Sequence, residues 1–221
     1  MTKSREFNIY DRLDATLARA SRTSDEVART PSRFFDTALP AADKLRDPNF
    51  QDPLTGLLNR RGFERELEIW KETQLDDDAY LALAYIDLNN FKTVNDEFGH
   101  SVGDRALIDI ANVLRESLRS SDMIARWGGD EIVLGLPVRA SPEEVSHEEI
   151  FATLDEKLNG SLQQAQRVMA MRGEPVGYLQ NLSFAIGVEI YPASALDFAL
   201  DELLNKPDER MYEHKRKLKS A

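Results

Sequence analysis

The sequence predicts an α/β domain of the α+β kind, and three observations carry that prediction. Leu81-Ala82-Leu83-Ala84-Tyr85-Ile86 is an unbroken apolar run of strand length, as expected for a central strand buried on both faces. Gly128-Gly129 lies between the apolar runs Met123-Ile124 and Ile132-Val133-Leu134, and paired glycines there suit the positive-φ positions of a tight hairpin. Beside these strands, apolar residues recur at helical spacing in Leu107, Ile110, Leu114 and Leu118, and again in Phe151, Leu154, Leu158 and Leu162.

The chain has 221 residues, enough for one domain and an appendage, and 42% apolar with 30% charged residues describes a globular protein. No run of eighteen apolar residues offers a membrane span. The opening MTKSREFNIYDRLD lacks the apolar stretch of a signal peptide, and cysteine is absent, so the expected location is cytoplasmic. A net charge of −11 argues against a nucleic-acid backbone as partner. A polyphosphate ligand stays open if a divalent cation or local lysines offset the acids.

Residues 1–50 form the appendage. Ile9, Leu13 and Leu17 at i+4 spacing predict a short amphipathic helix, followed by a Ser/Thr-rich stretch and a proline-rich one. This extension packs on its own domain, pairs with a second copy or docks a protein partner. Residues 51–221 form the main domain. Asp52-Pro53-Leu54-Thr55-Gly56 is turn chemistry leading into a helix over RRGFERELEIWKE. The apolar strand ends at Asp87, where a carboxylate is either a metal ligand or a cap for the next helix. That helix is short, Phe91 to Asp96, and Phe98 to Asp104 reads as a glycine-bounded loop, with Asp104 a candidate N-cap of the following helix. After the hairpin glycines, Asp130 and Glu131 are expected on opposite faces of a strand. Ser141-Pro142-Glu143-Glu144 reads as a capping box before a packing helix, and Ser183 to Tyr191 as a strand. His147 and His214 are expected on the surface.

Several separated motifs then occur in one order: DPLTGLLNR, IDLNNFKTVNDEFGHSVGD, RWGGDEI and SFAIG. Together, over roughly residues 50–219, they resemble the GGDEF family, the diguanylate cyclases that condense two GTP into cyclic di-GMP. The resemblance implies a palm-like, mostly antiparallel sheet flanked by helices, nucleotidyl-cyclase-like, with the N-terminal helical extension added. It implies Mg²⁺, with Mn²⁺ as a substitute, on Asp87, Asp130 and the Leu88 carbonyl. Glu131 would assist deprotonation of the ribose 3′-OH or hold a second metal, making Asp87, Asp130 and Glu131 the catalytic acids. Asn95 and Asp104 would accept from the guanine edge beside Phe91, and Lys92, Lys215 and Lys219 would take the phosphates. Arg119-Ser120-Ser121-Asp122 fits an RxxD pattern, with five residues separating Asp122 from Gly128, which implies an inhibitory product site on Arg119 and Asp122.

Because each subunit would hold one GTP, the resemblance also implies a homodimer. Departures from the pattern are Ile132 for Phe, Asn89 for a second Asp, Pro207 for Ala and Lys219 for Arg; Pro207 is expected to shift the start of the last helix. The alternatives are a non-catalytic cyclic di-GMP receptor, a dinucleotide cyclase of relaxed base choice, and a module that docks a partner through residues 1–50.

Overall fold

The structure, a computed structural model, describes residues 47–73, 79–138, 146–171, 176–196 and 199–220. The amphipathic helix expected around Ile9, Leu13 and Leu17 and the capping box expected at Ser141–Glu144 lie outside these residues.

The described elements follow the order α1 (Arg60–Thr73), β1 (Tyr80–Asn89), α2 (Phe91–Phe98), α3 (His100–Ser117), β2 (Met123–Gly128), β3 (Glu131–Val138), α4 (His147–Met171), β4 (Ser183–Pro192) and α5 (Leu200–Ser220). The four strands form one sheet in the order β2-β3-β1-β4, with every neighbouring pair antiparallel. The expected α+β fold with a mostly antiparallel sheet is therefore present. β1 is central and all but its first residue are buried, which is why it reads as a continuous apolar run.

Alternation along β1 sorts the core into two layers. Leu81, Leu83 and Tyr85 join Phe63 and Leu67 of α1 and Leu203, Leu204 and Met211 of α5 in one cluster. Ala82, Ala84, Ile86 and Leu88 point to the other face, where α3 and α4 supply Ile110, Leu114, Leu158 and Leu162, all fully buried. Each such side chain stabilises the fold by about 1.5–3 kcal/mol relative to exposure.

Several boundaries differ from the sequence reading. β1 continues to Asn89, so Asp87 lies within the strand and does not cap α2; Asn90, at φ 65°, begins that helix. The expected loop over Phe98–Asp104 is only a break at Gly99, and Asp104 sits inside α3 and is not its cap. α4 does start with a capping box, at Ser146 and Glu149: Glu149 N donates to Ser146 Oγ at 3.2 Å and Ser146 N to Glu149 Oε2 at 3.0 Å.

α5 starts well before Pro207 and runs through it. Proline has no N–H for the Leu203 carbonyl four residues back, and that carbonyl instead accepts from the Tyr191 hydroxyl at 2.7 Å. The helix backbone lies so close to β4 that a Cβ on Gly187 would fall 1.9 Å from the Pro207 oxygen. His214 is not a surface residue. Its Nδ1 accepts from Ile186 N at 3.1 Å, and its ring stands edge-on to Phe151 at 4.9 Å.

Candidate active site

The hairpin places three acids at one end of the sheet. Its turn is Gly129-Asp130, with Gly129 at φ 51° and Gly128 paired to Glu131. Asp130 is thus a turn residue, and the alternation expected to separate it from Glu131 does not apply to it. Glu131 is the register partner of Asp87, so both leave the same face. Among the described residues, no three His, Asp or Glu side chains converge as a ready metal cluster.

The charges at this end act on one another. Burial, then the charge of Asp87, pushes the Asp130 carboxyl above its usual range, while Lys215 and Arg126 oppose the shift. Asp208 is pushed up by burial and by Glu209 and Asp87. Tyr85 lies two residues before Asp87 on the same face. Burial, then the charge of Glu131, holds its phenol well above the usual range. Lys215 Nζ bonds Asp87 Oδ1 at 2.5 Å, with the carboxylate only 13% exposed. Asn89, beyond Asp87, is buried; its amide donates to Ser183 Oγ at 3.0 Å and its Oδ1 has no partner.

Arg126 braces the hairpin from outside the acid group. Its Nε donates to the Gly129 carbonyl at 2.9 Å, and its NH1 reaches both oxygens of Asp52 at 3.2 Å. Asp52 Oδ1 also accepts from Thr55 N at 2.8 Å and Thr55 Oγ1 at 2.6 Å. Burial raises the Asp52 pKa, but these bonds from Thr55 and Arg126 outweigh it and leave it below the usual carboxylate value. The opening turn Asp52–Gly56 is in this way tied to the hairpin that carries Asp130.

The second group lies on α2 and α3. Phe91 is buried at the start of α2, with Lys92 exposed beside it. Asn95 meets α3 at Gly103, where an added Cβ would fall 1.9 Å from Asn95 Oδ1. Asp104 follows Gly103 directly and is exposed. Among the described residues, the side chains of Asn95, Asp104 and Lys92 make no hydrogen bond or ion pair. Lys219, in the last turn of α5, is exposed.

Arg119 and Asp122 lie on the connection from α3 to β2, away from the hairpin turn. Asp122 Oδ2 accepts from Arg119 N at 2.8 Å and Asp122 N donates to Arg119 O at 3.0 Å, which closes a turn. Burial raises the Asp122 carboxyl against the opposing charges of Arg119 and Lys157.

Residues 49–221 match the family model described as "Diguanylate cyclase, GGDEF domain". The chain belongs to the GGDEF family. This GGDEF chain is 32% identical over 204 residues to MucR of Pseudomonas aeruginosa, a bifunctional diguanylate cyclase/cyclic di-GMP phosphodiesterase; the alignment covers 92% of the chain and 26% of MucR. It thus spans about a quarter of that relative's length. Among solved structures it is similar to the diguanylate cyclase SiaD of Pseudomonas aeruginosa, in complex with its activator SiaC, with a TM-score of 0.61 and 29% identity over 93% of this chain and 73% of that one. It is also similar to a microbial GGDEF domain whose structure shows its interaction with cyclic di-GMP, with a TM-score of 0.52 and 31% identity over 76% and 94% of the two chains.

The fold brings Asp87, Asp130 and Glu131 to one end of the sheet, and Asn95 and Asp104 to one helix junction. Sequence reasoning missed Tyr85, Arg126, Asp52 and Asp208. Tyr85 interrupts the apolar run of the central strand at the same parity as Asp87, but nothing local sets Glu131 beside it. Arg126 and Asp52 are 74 residues apart, and nothing in either local pattern pairs them.

Proposed function

We propose that the chain is a diguanylate cyclase, condensing two GTP into cyclic di-GMP and two pyrophosphates. The observation that carries this reading is the pairing of Asp87 with Glu131 beside Asp130, on a GGDEF sheet, next to a helix junction offering Asn95 and Asp104. Each of two reactions joins a ribose 3′-oxygen to the α-phosphorus of the other GTP, releases pyrophosphate and frees the hydroxyl proton.

The donor set fits Mg²⁺ or Mn²⁺. Asp87, Asp130, Glu131 and the Leu88 carbonyl are hard oxygens, and Mg²⁺ typically takes one or two carboxylates and completes its shell with water and substrate phosphate. The ammonium of Lys215 on Asp87 shows that this oxygen accepts a cation. When bound, the metal would supply charge stabilisation at the reacting phosphate.

The chain's own residues do the rest. Glu131, whose charge reaches the Tyr85 phenol, accepts the 3′-OH proton or serves a second metal. Asn95 and Asp104 present acceptors to the guanine N–H groups, with Phe91 packed behind them. Lys92, Lys215 and Lys219 take phosphate charge. One domain holds one nucleotide, so two copies must face each other, and the working form is a homodimer.

Arg119 and Asp122 are proposed to bind the product as an inhibitory site, with the Arg119→Ala variant escaping inhibition. Unchanged inhibition would reject this. The domain division proposed is 1–50 and 51–221. The SiaD match covers more of the chain than residues 49–221, which supports a leading segment that dimerises or meets a partner protein. A cytoplasmic location is part of the same proposal, and no described helix is long and apolar enough to cross a membrane. The test is incubation of the chain with GTP and Mg²⁺, with products identified by mass. Cyclic di-GMP from wild type and none from Asp130→Ala supports the reading. Tight binding of cyclic di-GMP with no turnover would replace it with a receptor.

A further inference from the structure

Asp87 already holds a cation, and that cation belongs to the protein. Lys215 Nζ lies 2.5 Å from Asp87 Oδ1, and the two side chains are 25% and 13% exposed. The pair joins residues 128 positions apart, from α5 to the central strand. Its placement follows from the close seat of α5 on the sheet, where Gly187 meets the backbone of Pro207 and Met211. Negative charge exceeds positive here: Asp130 and Asp208 feel Asp87, and Tyr85 feels Glu131, Asp208 and Asp87.

We infer that Lys215 is an exchangeable counter-ion: in the nucleotide-free chain its ammonium holds the cation position on Asp87, and it leaves for the nucleotide's phosphates when metal and nucleotide arrive together. The inference rests on the proposed function, because the triphosphate gives the lysine its second partner. A metal bound about 2 Å from Asp87 Oδ1 would lie within a few ångströms of the ammonium, where like charges repel strongly in a partly buried setting. Both cations cannot keep that oxygen. Lysine has a flexible four-carbon stem and a point charge, so it can swing without unfolding the helix that carries it.

Lys215 therefore acts with opposite sign on the two ligands. It opposes metal binding alone and favours the nucleotide, so metal and nucleotide each tighten the other, and by linkage to the same factor. A lysine that served only to bind phosphate would not affect metal binding in the absence of nucleotide. A lysine that served only to hold α5 on the sheet would, when removed, weaken both.

The experiment titrates Mn²⁺ into the full chain without nucleotide and reads free Mn²⁺ by electron paramagnetic resonance. Lys215→Met and Lys215→Ala should each bind Mn²⁺ about tenfold or more tighter than wild type, while Lys215→Arg, which keeps the charge, stays within about twofold of it. Both neutral variants should bind a non-reactive GTP analogue more weakly. Equal or weaker Mn²⁺ binding in the two neutral variants overturns the exchange. A second measurement needs no variant: in wild type the GTP analogue should tighten Mn²⁺ by about tenfold or more, and no coupling also overturns it. Product analysis separates the two claims. Cyclic di-GMP formed without the Mn²⁺ gain rejects the exchange alone, whereas the gain without cyclic di-GMP rejects the cyclase reading and leaves the competition at Asp87 in place.

Discussion

At the hairpin end of the sheet, the candidate catalytic acids are enclosed by the chain itself: Lys215 pairs with Asp87, the charge of Glu131 bears on the buried Tyr85 phenol, and Arg126 and Asp52 brace the turn that carries Asp130. Across the α2–α3 junction the opposite holds. The side chain of Asn95 lies against Gly103, next to Asp104, and among the described residues neither side chain has a hydrogen-bond or ion-pair partner. The difference follows from burial. Charges at the end of a packed strand need counter-charges in the folded chain, whereas polar groups on exposed helix turns are satisfied by water until a ligand replaces it. One half of the site has to be opened by its ligands, and the other stands ready.

The largest break in this comparison comes from Asp130→Ala. It should lower cyclic di-GMP formation by about 100-fold or more, in steady-state assays with GTP and Mg²⁺. Binding of a GTP analogue at the α2–α3 junction should change far less, and equal losses in both would show that the halves are not separate.

Gly103→Ala attacks the open half. Its Cβ would fall 1.9 Å from Asn95 Oδ1, so the Asn95 side chain must turn away from its present position. KM for GTP should rise, by about tenfold, and binding of Mn²⁺ alone should be unaffected. An unchanged KM would remove Asn95 from the nucleotide site.

Tyr85→Phe deletes only the phenolic hydroxyl, which the charge of Glu131 reaches. A polar neighbour steadies the carboxylate, so its loss should lower kcat about tenfold with little change in KM. A change in KM alone would place Tyr85 in the nucleotide half.

The smallest effect concerns stability. Asp52 has a pKa below the ordinary value of 3.8 in the folded chain, so its ion pair with Arg126 stabilises the fold fully above that value and loses its effect as pH falls through the folded pKa. In urea unfolding, wild type should exceed Asp52→Asn by about 1–3 kcal/mol at pH 7. The gap should close below pH about 3.8. A gap that persisted in acid would mean that the carboxylate's charge contributes nothing.

The fold was legible where periodicity was unambiguous. β1 announced itself as an unbroken apolar run because both its faces are covered, and α3 through Leu107, Ile110 and Leu114. The hairpin was placed correctly but its turn was off by one residue, because either of two adjacent glycines suits the positive φ that Gly129 takes. Asp104 looked like a cap because Gly103 looked like a loop. Gly103 is in fact helical, and the end of the Asn95 side chain lies against it, a contact with no local mark. Pro207 sits mid-helix for a similar reason, since Tyr191, sixteen residues earlier, satisfies the freed carbonyl. The acids of the site were readable by type and motif. Their internal partners Lys215, Tyr85 and Arg126 were not readable as partners, because those pairings exist only once strands and helices have packed.

The account is tested most directly by calorimetric titration of the wild-type chain with a non-reactive GTP analogue, with and without Mg²⁺, beside a titration with Mg²⁺ alone. The predicted result is measurable nucleotide binding without metal, much weaker binding of metal without nucleotide, and mutual tightening when both are present. Mg²⁺ binding alone as tightly as it does with nucleotide would contradict the division of the site into a closed acid half and an open nucleotide half.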